Sequence, residues 1–180
     1  IEITHDYSSY ENQNKFLEGT GSMVLNRKNN IAYCALSNRS NKELFMKFCN
    51  DLNYSSVLFN SIYESKPIYH TNVLMSICNN FSIICLESVK NQDERHYIIK
   101  SLEDSELDII DISYDQMSSY LGNCIQLVDE DLNPKLVMST NAFESIKSDQ
   151  LARILKHTEI IHSDIKTIEN YGGGSARCMI

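Results

Sequence analysis

The sequence predicts an α/β fold built from repeated ββαβ units. Short apolar runs alternate with amphipathic helical patterns in one recurring order, strand, strand, helix, strand. Glycine-containing or polar motifs begin these units at intervals of about fifty residues, a period typical of repeated supersecondary structure. The composition, with 42% apolar and 22% charged residues, is that of a globular protein.

The first unit shows the pattern most clearly. An asparagine-rich segment joins its first two apolar runs, which predicts a β-hairpin. Ser40 or Asn41 then precedes a helix whose apolar residues share one face, and either side chain suits a helix N-cap. The predicted segments are strands at 22–25, 31–36 and 56–59, a turn at 26–30, and a helix that includes Leu44, Phe45, Phe48 and Leu52.

Two further units repeat this order. The second has predicted strands at 72–77, 81–86 and 107–112 and a helix through 95–102. The third follows a helical turn at 114–120, with strands at 124–128, 136–139 and 159–168 and a helix at 143–155. A fourth unit begins with a predicted strand at 178–180. We therefore expect residues 1–180 to form a fragment of a single domain, with further units before it and further chain after it.

Charge and cysteine content exclude several classes of protein. A net charge of -8 without a basic stripe argues against nucleic-acid binding, and no apolar run reaches the roughly 18 residues of a membrane span. The cysteines are scattered, with no Cys-x-x-Cys pair and no zinc spacing. We expect reduced, mostly buried thiols in a cytoplasmic protein, without a disulfide framework, metal or organic cofactor.

One cysteine is different. Cys178 follows three consecutive glycines, 172–174, and Arg177. Glycines allow close approach to the backbone, and a neighbouring cation favours the thiolate, which is the nucleophilic form. The alternative is a glycine-rich turn before a buried strand. Arg177 itself either activates the thiol, contacts substrate or is a solvated loop charge.

The repeat favours the functional interpretation. Residues at equivalent places in repeated units arranged about an axis meet at that axis. The unit-leading motifs contain Glu18, His70, Asn72 and Asn123, and we expect these side chains to converge with Cys178. A carboxylate, an imidazole, amides and a thiol in one cavity indicate nucleophilic catalysis.

These motifs carry a resemblance to a known superfamily. The segments 17–23 (LEGTGSM), 69–73 (YHTNV) and 172–179 (GGGSARCM) resemble those of the guanidino-group-modifying enzymes, the arginine deiminase and amidinotransferase superfamily, over essentially the whole chain. Its fold is the pentein α/β-propeller of five ββαβ units. Within it, the chain is most similar to the bacterial citrulline-utilisation hydrolases.

The resemblance implies a role for each matching residue. It implies that Cys178 is the nucleophile, that His70 is the general acid and base, and that Glu18 supports the histidine or holds substrate nitrogens. By a looser match, Arg39 corresponds to an arginine that binds the substrate α-carboxylate. Asn123 and Arg177 are weaker substrate-binding candidates.

Asn72 departs from the arginine deiminase pattern, which has aspartate there. A carboxylate pairs with a cationic guanidinium, whereas an amide suits a neutral ureido group. We therefore expect a hydrolase that converts citrulline to ornithine through a covalent cysteine intermediate. An arginine deiminase, a dimethylarginine hydrolase or an amidinotransferase remain alternatives. So does a chain without activity, either a non-catalytic binding protein of the same fold or an inactive fragment. The expected partner is a small amino-acid substrate, with a possible homo-oligomer.

Overall fold

Three sheets of the same design follow one another along the chain. The computed structural model describes residues 5–180. In each sheet the first two strands are antiparallel, the third is parallel to the second, and the second lies in the middle. Each sheet contains one unit of the predicted ββαβ repeat, and the fold is α/β as expected. The described residues do not close a ring of sheets.

The first unit is organised around a well-capped helix. The side chain of Asn41 accepts hydrogen bonds from the backbone N–H groups of Glu43 and Leu44, which identifies the cap left open between Ser40 and Asn41. The buried face of this helix packs on the sheet. The elements are α1 (Gly19–Ser22), β1 (Val24–Asn26), β2 (Ile31–Ala35), α2 (Lys42–Asp51) and β3 (Ser55–Phe59).

The second unit has the same plan and supplies more of the buried apolar residues than either of the other two. A small hairpin that the sequence did not predict precedes it, with Glu64 and Ser65 at positive φ in its turn. The elements are β4 (Ile62–Tyr63), β5 (Lys66–Pro67), α3 (Thr71–Leu74), β6 (Met75–Ile77), β7 (Phe81–Ile84), a 3₁₀ turn (Leu86–Ser88), α4 (Gln92–Asp104) and β8 (Asp108–Asp111).

The third unit ends in the segment that carries Cys178. Its elements are α5 (Tyr114–Ser118), β9 (Ile125–Val128), β10 (Pro134–Ser139), α6 (Thr140–Glu144), α7 (Ser148–Ile154), β11 (Glu159–Ser163), α8 (Lys166–Gly172) and a 3₁₀ turn (Ala176–Met179). One large apolar cluster connects the sheets of the three units. The first strand of the second unit, β6, lies against both β1 and β9, so the leading ends of the units meet.

Four sequence predictions are wrong in detail. The first half of the strand predicted at 72–77 is the helical turn α3, and the strand begins at Met75. The predicted helix at 143–155 is two helices, because the buried side chain of Gln150 accepts a hydrogen bond from the Lys147 backbone N–H at 3.0 Å and starts a new helix there. The strand predicted at 159–168 stops at Ser163, and α8 follows. The strand predicted at 178–180 is a 3₁₀ turn, in which Cys178 N donates to Ser175 O at 3.0 Å.

No helix within residues 5–180 combines the length and the apolar character needed to cross a lipid bilayer.

Candidate active site

Glu18 and His70 occupy corresponding positions in the first two units. Each is the residue immediately before a four-residue helical turn, α1 or α3, that leads into the first strand of its unit. The two turns lie against each other. His70 Nε2 is 2.8 Å from Glu18 Oε2. A carboxylate only accepts, so Nε2–H donates to Glu18, which fixes the direction of the imidazole ring.

Gly21 provides the surface on which the His70 ring rests. A Cβ atom at position 21 would lie 2.6 Å from His70 Nδ1 and 2.8 Å from Cε1. Any side chain larger than hydrogen would therefore displace the imidazole. This glycine falls inside the first motif, but its role follows from a contact with another unit.

The thiol of Cys178 lies beside two amide side chains. Its Sγ atom is 3.2 Å from Asn123 Nδ2 and 3.5 Å from Asn72 Nδ2. Both asparagines are buried, whereas Cys178 is exposed. The structure thus brings Cys178 to one residue of the second unit and one of the third, and the first of these, Asn72, follows His70 by two positions in the sequence. These contacts join Cys178 to Asn72 and Asn123, and His70 to Glu18; that all five side chains form one catalytic site stays a prediction.

The glycine-rich segment holds Cys178 in a tight turn. Gly173 ends α8 in the left-handed conformation, with φ of 68°. A Cβ at Gly174 would lie 2.7 Å from Cys178 Cβ and 2.9 Å from its Sγ, so only glycine fits there. Ser175 Oγ donates to the buried carboxylate of Glu169 at 2.7 Å, which ties the turn to α8.

Arg39 lies at the edge of this cluster. Its Nη1 atom is 3.6 Å from Glu18 Oε2, and its guanidinium stacks over the Tyr69 ring at 5.1 Å. Because the Arg39 side chain is 53% exposed, it remains accessible to a substrate carboxylate. These contacts place Arg39 beside Glu18. Its suggested role, binding the substrate α-carboxylate, stays a prediction.

Arg177 contacts the interior of the fold. Its Nη1 atom is 3.5 Å from Met75 O, at the start of β6, and burial lowers the pKa of the guanidinium. It forms no ion pair with any acid of residues 5–180. This placement favours a structural role near the thiol turn over the solvated loop charge considered above.

The sequence did not identify Tyr69, Gly21 or Glu169. Tyr69 packs on His70 with ring centroids 5.0 Å apart, and its hydroxyl donates to Gly173 O at 2.9 Å. Its position next to His70 was the available signal. Glu169 carries no such signal, since a glutamate in a helical pattern is usually solvated.

The other thiols are buried. Burial raises the pKa of Cys34 and of Cys85 to about 12, and that of Cys49 to about 11. Burial likewise raises the pKa of Cys78 and of Cys124. Within residues 5–180, Cys178 is the one exposed cysteine, and no group of three or more His, Cys, Asp or Glu side chains is arranged to hold a metal ion. The cluster can therefore supply an accessible sulfur nucleophile and a carboxylate-supported imidazole.

Comparison with known proteins agrees with this chemistry. The profile of the family described as N,N dimethylarginine dimethylhydrolase, eukaryotic, matches residues 2–180. No curated protein matches the sequence.

Among solved structures, ArgZ, an arginine dihydrolase from the ornithine–ammonia cycle in cyanobacteria, superimposes with a TM-score of 0.72 at 12% identity over 91% of this chain and 24% of that chain. Its N-terminal domain bound to product gives 0.71 at 13% identity over 91% of this chain and 55% of that chain. The agmatine deiminase of C. jejuni gives 0.52 at 13% identity over 91% and 54%.

The chain thus spans about a quarter of full-length ArgZ and about half of its N-terminal domain. At these identities the likeness shows a shared fold. The family profile, which covers nearly all residues, confirms the predicted superfamily of guanidino-group-modifying hydrolases and deiminases. The chain belongs to the eukaryotic N,N dimethylarginine dimethylhydrolase family.

Proposed function

We propose that the protein is a cysteine-dependent hydrolase that cleaves a C–N bond of the ureido group of citrulline. The observation that carries the proposal is the exposed sulfur of Cys178, held by the side-chain amides of Asn72 and Asn123, in the same cluster of unit-leading motifs as the His70–Glu18 pair. A nucleophile and an oriented acid–base group are the components of covalent hydrolysis.

The proposed reaction has two steps. The Cys178 thiolate attacks the ureido carbon, an S–C bond forms, and the bond from carbon to the substrate side-chain nitrogen breaks. His70 gives a proton to that nitrogen, and ornithine leaves. Water then attacks the S-carbamoyl intermediate, His70 takes a proton from the water, and the C–S bond breaks to release carbamate, which decomposes to carbon dioxide and ammonia. Glu18 stabilises the histidine cation through the hydrogen bond from Nε2.

Asn72 supports a neutral substrate group. Its Oδ1 atom is buried and has no hydrogen-bond partner among the described residues. A buried acceptor without a partner costs about 1–3 kcal/mol, which a substrate N–H donor would remove. An amide offers this acceptor without the negative charge that would select a guanidinium, so citrulline is the first candidate substrate.

A second candidate substrate is dimethylarginine, because the matching family profile is named for its hydrolysis. Arginine is the third, since the solved relative ArgZ is an arginine dihydrolase. The same two-step chemistry applies to each, with a different group leaving first. An amidinotransferase would pass the intermediate to an acceptor amine in place of water.

The deciding experiment measures kcat/KM for citrulline, arginine and dimethylarginine with the full-length protein, with and without an acceptor amine. We expect citrulline to be preferred, and Cys178→Ala to abolish turnover of every substrate. Asn72→Asp should shift the preference toward arginine by about tenfold or more, since the added carboxylate pairs with the guanidinium. A wild-type preference for arginine or dimethylarginine would reject the citrulline assignment. Absence of turnover together with an unreactive Cys178 would favour a non-catalytic binding protein.

A further inference from the structure

We propose that Asn123 holds the sulfur of Cys178 as a thiolate and fixes its position, and that it does not bind substrate. The inference rests on the proposed function, because it concerns the nucleophile of that reaction. It assigns the third unit a direct part in the chemistry and replaces the substrate-binding role that the sequence suggested for Asn123.

The hydrogen bonds of Asn123 leave no donor for a ligand. One N–H of its side chain donates to Asn72 O at 2.9 Å and the other points to Cys178 Sγ at 3.2 Å. Its Oδ1 atom accepts from Ser175 N at 3.1 Å. Asn123 is buried to the same degree as Asn72, with 2% of its surface exposed against 3%, but it lacks the unpartnered acceptor that Asn72 keeps among the described residues.

The orientation of this amide is fixed by its partners. The backbone N–H of Ser175 can only donate, so Oδ1 must face it, and Asn72 O can only accept, so Nδ2 must face that oxygen. The second N–H is then directed at the sulfur. A flipped amide would break both backbone hydrogen bonds.

Asn123 also holds the turn on both sides of the nucleophile. Its side chain binds Ser175, three positions before Cys178, and its backbone oxygen accepts from Arg177 N at 3.3 Å. One residue therefore sets the path of the segment from 175 to 177, and with it the position of Sγ. Asn72 Nδ2, at 3.5 Å, is a longer second contact to the same atom.

A donor directed at sulfur stabilises the charged form more than the neutral form. Hydrogen bonds to ionised acceptors are roughly twice as strong as those between neutral groups. Because thiolate is the nucleophilic form, a donor 3.2 Å from the sulfur favours the reactive state. Substrate binding is not needed for this effect, so it can be measured on the free protein.

Other titratable groups near the sulfur are common to wild type and variant. Tyr69 and Tyr120 face it from the second and third units, and burial raises the pKa of both phenols, which stay protonated in the assay range of about pH 6–9. Arg177 approaches from the turn itself. His70 and Glu18 form their own pair.

The test is the pH profile of Cys178 alkylation by iodoacetamide. The other cysteines are buried, and Cys178→Ala shows how much signal belongs to Cys178. Asn123→Asp keeps the acceptor for Ser175 and replaces the amide donor with a carboxylate oxygen. We expect alkylation at pH 7 to slow by about tenfold or more, with the profile moved to higher pH. Asn123→Ala, which adds no charge, should slow it by about threefold to tenfold.

The matched control is Asn170→Asp, the same substitution at an exposed position of α8, which should leave the profile unchanged. Asn123 variants that keep a native circular dichroism spectrum and the wild-type alkylation profile would overturn the proposal. If the variants shift the profile while no candidate substrate is turned over by wild type, the role of Asn123 stands and the proposed reaction fails. If wild type turns over citrulline while the variants leave the profile unshifted, the proposed reaction stands and the role of Asn123 fails.

Discussion

Replacing Gly21 by alanine tests whether catalysis depends on the position of the His70 ring. The added Cβ would lie 2.6 Å from Nδ1, 2.8 Å from Cε1 and 3.0 Å from Cγ of that ring. Ordinary van der Waals contact begins at 3.4 Å, so the imidazole must retreat by about 0.8 Å. Its hydrogen bond to Glu18, now 2.8 Å, would lengthen or bend.

The expected loss of activity is large compared with the loss of stability. A displacement of about 1 Å at a reacting group costs on the order of a hundredfold in rate. In contrast, Gly21 lies within the helical turn α1 and not at positive φ, so the helix propensity of alanine offsets part of the steric cost by up to about 1 kcal/mol. We expect kcat to fall about a hundredfold while the melting temperature changes by a few degrees at most.

The assay is kcat on the preferred substrate, with thermal melting and Cys178 alkylation measured on the same samples. Gly172→Ala is the matched control, since its added Cβ would meet only Ile168 Cγ2 at an ordinary 3.7 Å. Alkylation should persist in Gly21→Ala, because the amides that hold the sulfur do not contact position 21. A kcat of Gly21→Ala within twofold of wild type would refute the reasoning that the His70 ring must stay where Gly21 allows it.

Two further predictions concern the elements around the site. Tyr69→Phe removes the hydrogen bond from the phenol to Gly173 O, which is worth about 0.5–1.5 kcal/mol. We expect steady-state kinetics to show kcat lowered severalfold and thermal melting to show little change in melting temperature. An unchanged kcat would contradict this prediction. A hydrogen bond from Arg153 lowers the pKa of the Asp108 carboxyl group, which His157 also contacts. The ionised carboxylate therefore stabilises the fold at pH values above its unfolded pKa of about 4. This contribution is lost as the pH falls through the lower pKa of the folded state. Asp108→Asn should therefore reduce unfolding free energy at pH 7 by about 0.5–1 kcal/mol and flatten the acid side of the stability profile, measured by urea titration at several pH values; a profile parallel to wild type would exclude the ion pair as the cause.

The repeat could be predicted because each sheet carries its own local signals. Apolar runs separated by asparagine-rich turns predict the hairpins, and asparagine caps mark where α2 and α4 begin. These signals lie within a few residues of the elements they specify. The order strand, strand, helix, strand of each unit therefore followed from the sequence, whereas the short elements added to it did not.

The helical turns α1 and α3 could not be predicted, because contacts between units determine them. The segment 72–77 reads as a strand by its apolar content, yet Thr71–Leu74 is helical. The Thr71 hydroxyl donates to Ser22 O at 2.5 Å and accepts from Ala35 N at 2.8 Å, which fixes this turn against the first unit. Here hydrogen bonds to residues that are distant in the sequence override the β-strand propensity of the segment.

The site was predictable to the extent that it follows the repeat. Glu18, His70 and Asn72 belong to motifs that begin units, and equivalent positions meet where the leading ends of the units lie together. The support of the nucleophile turn does not follow the repeat. Glu169 and Tyr69 hold that turn through contacts to Ser175 and Gly173; Tyr69 adjoins His70 in a unit-leading motif, but no periodic signal marks Glu169.

The carboxylate of Glu18 and the sulfur of Cys178 have different hydrogen-bond partners. Glu18 is bound to His70 and approached by Arg39, whereas the described contacts of the Cys178 sulfur are to the neutral amides of Asn72 and Asn123. A carboxylate beside the sulfur would oppose the thiolate, but a carboxylate beside the imidazole stabilises its cation. Glu18 comes from the start of the first unit, and the two amides come from the starts of the second and third, so the repeat places the carboxylate and the amides on different units. The imidazole and the sulfur therefore each keep partners suited to their proposed roles, as acid–base group and as nucleophile in attack on a ureido or guanidino carbon.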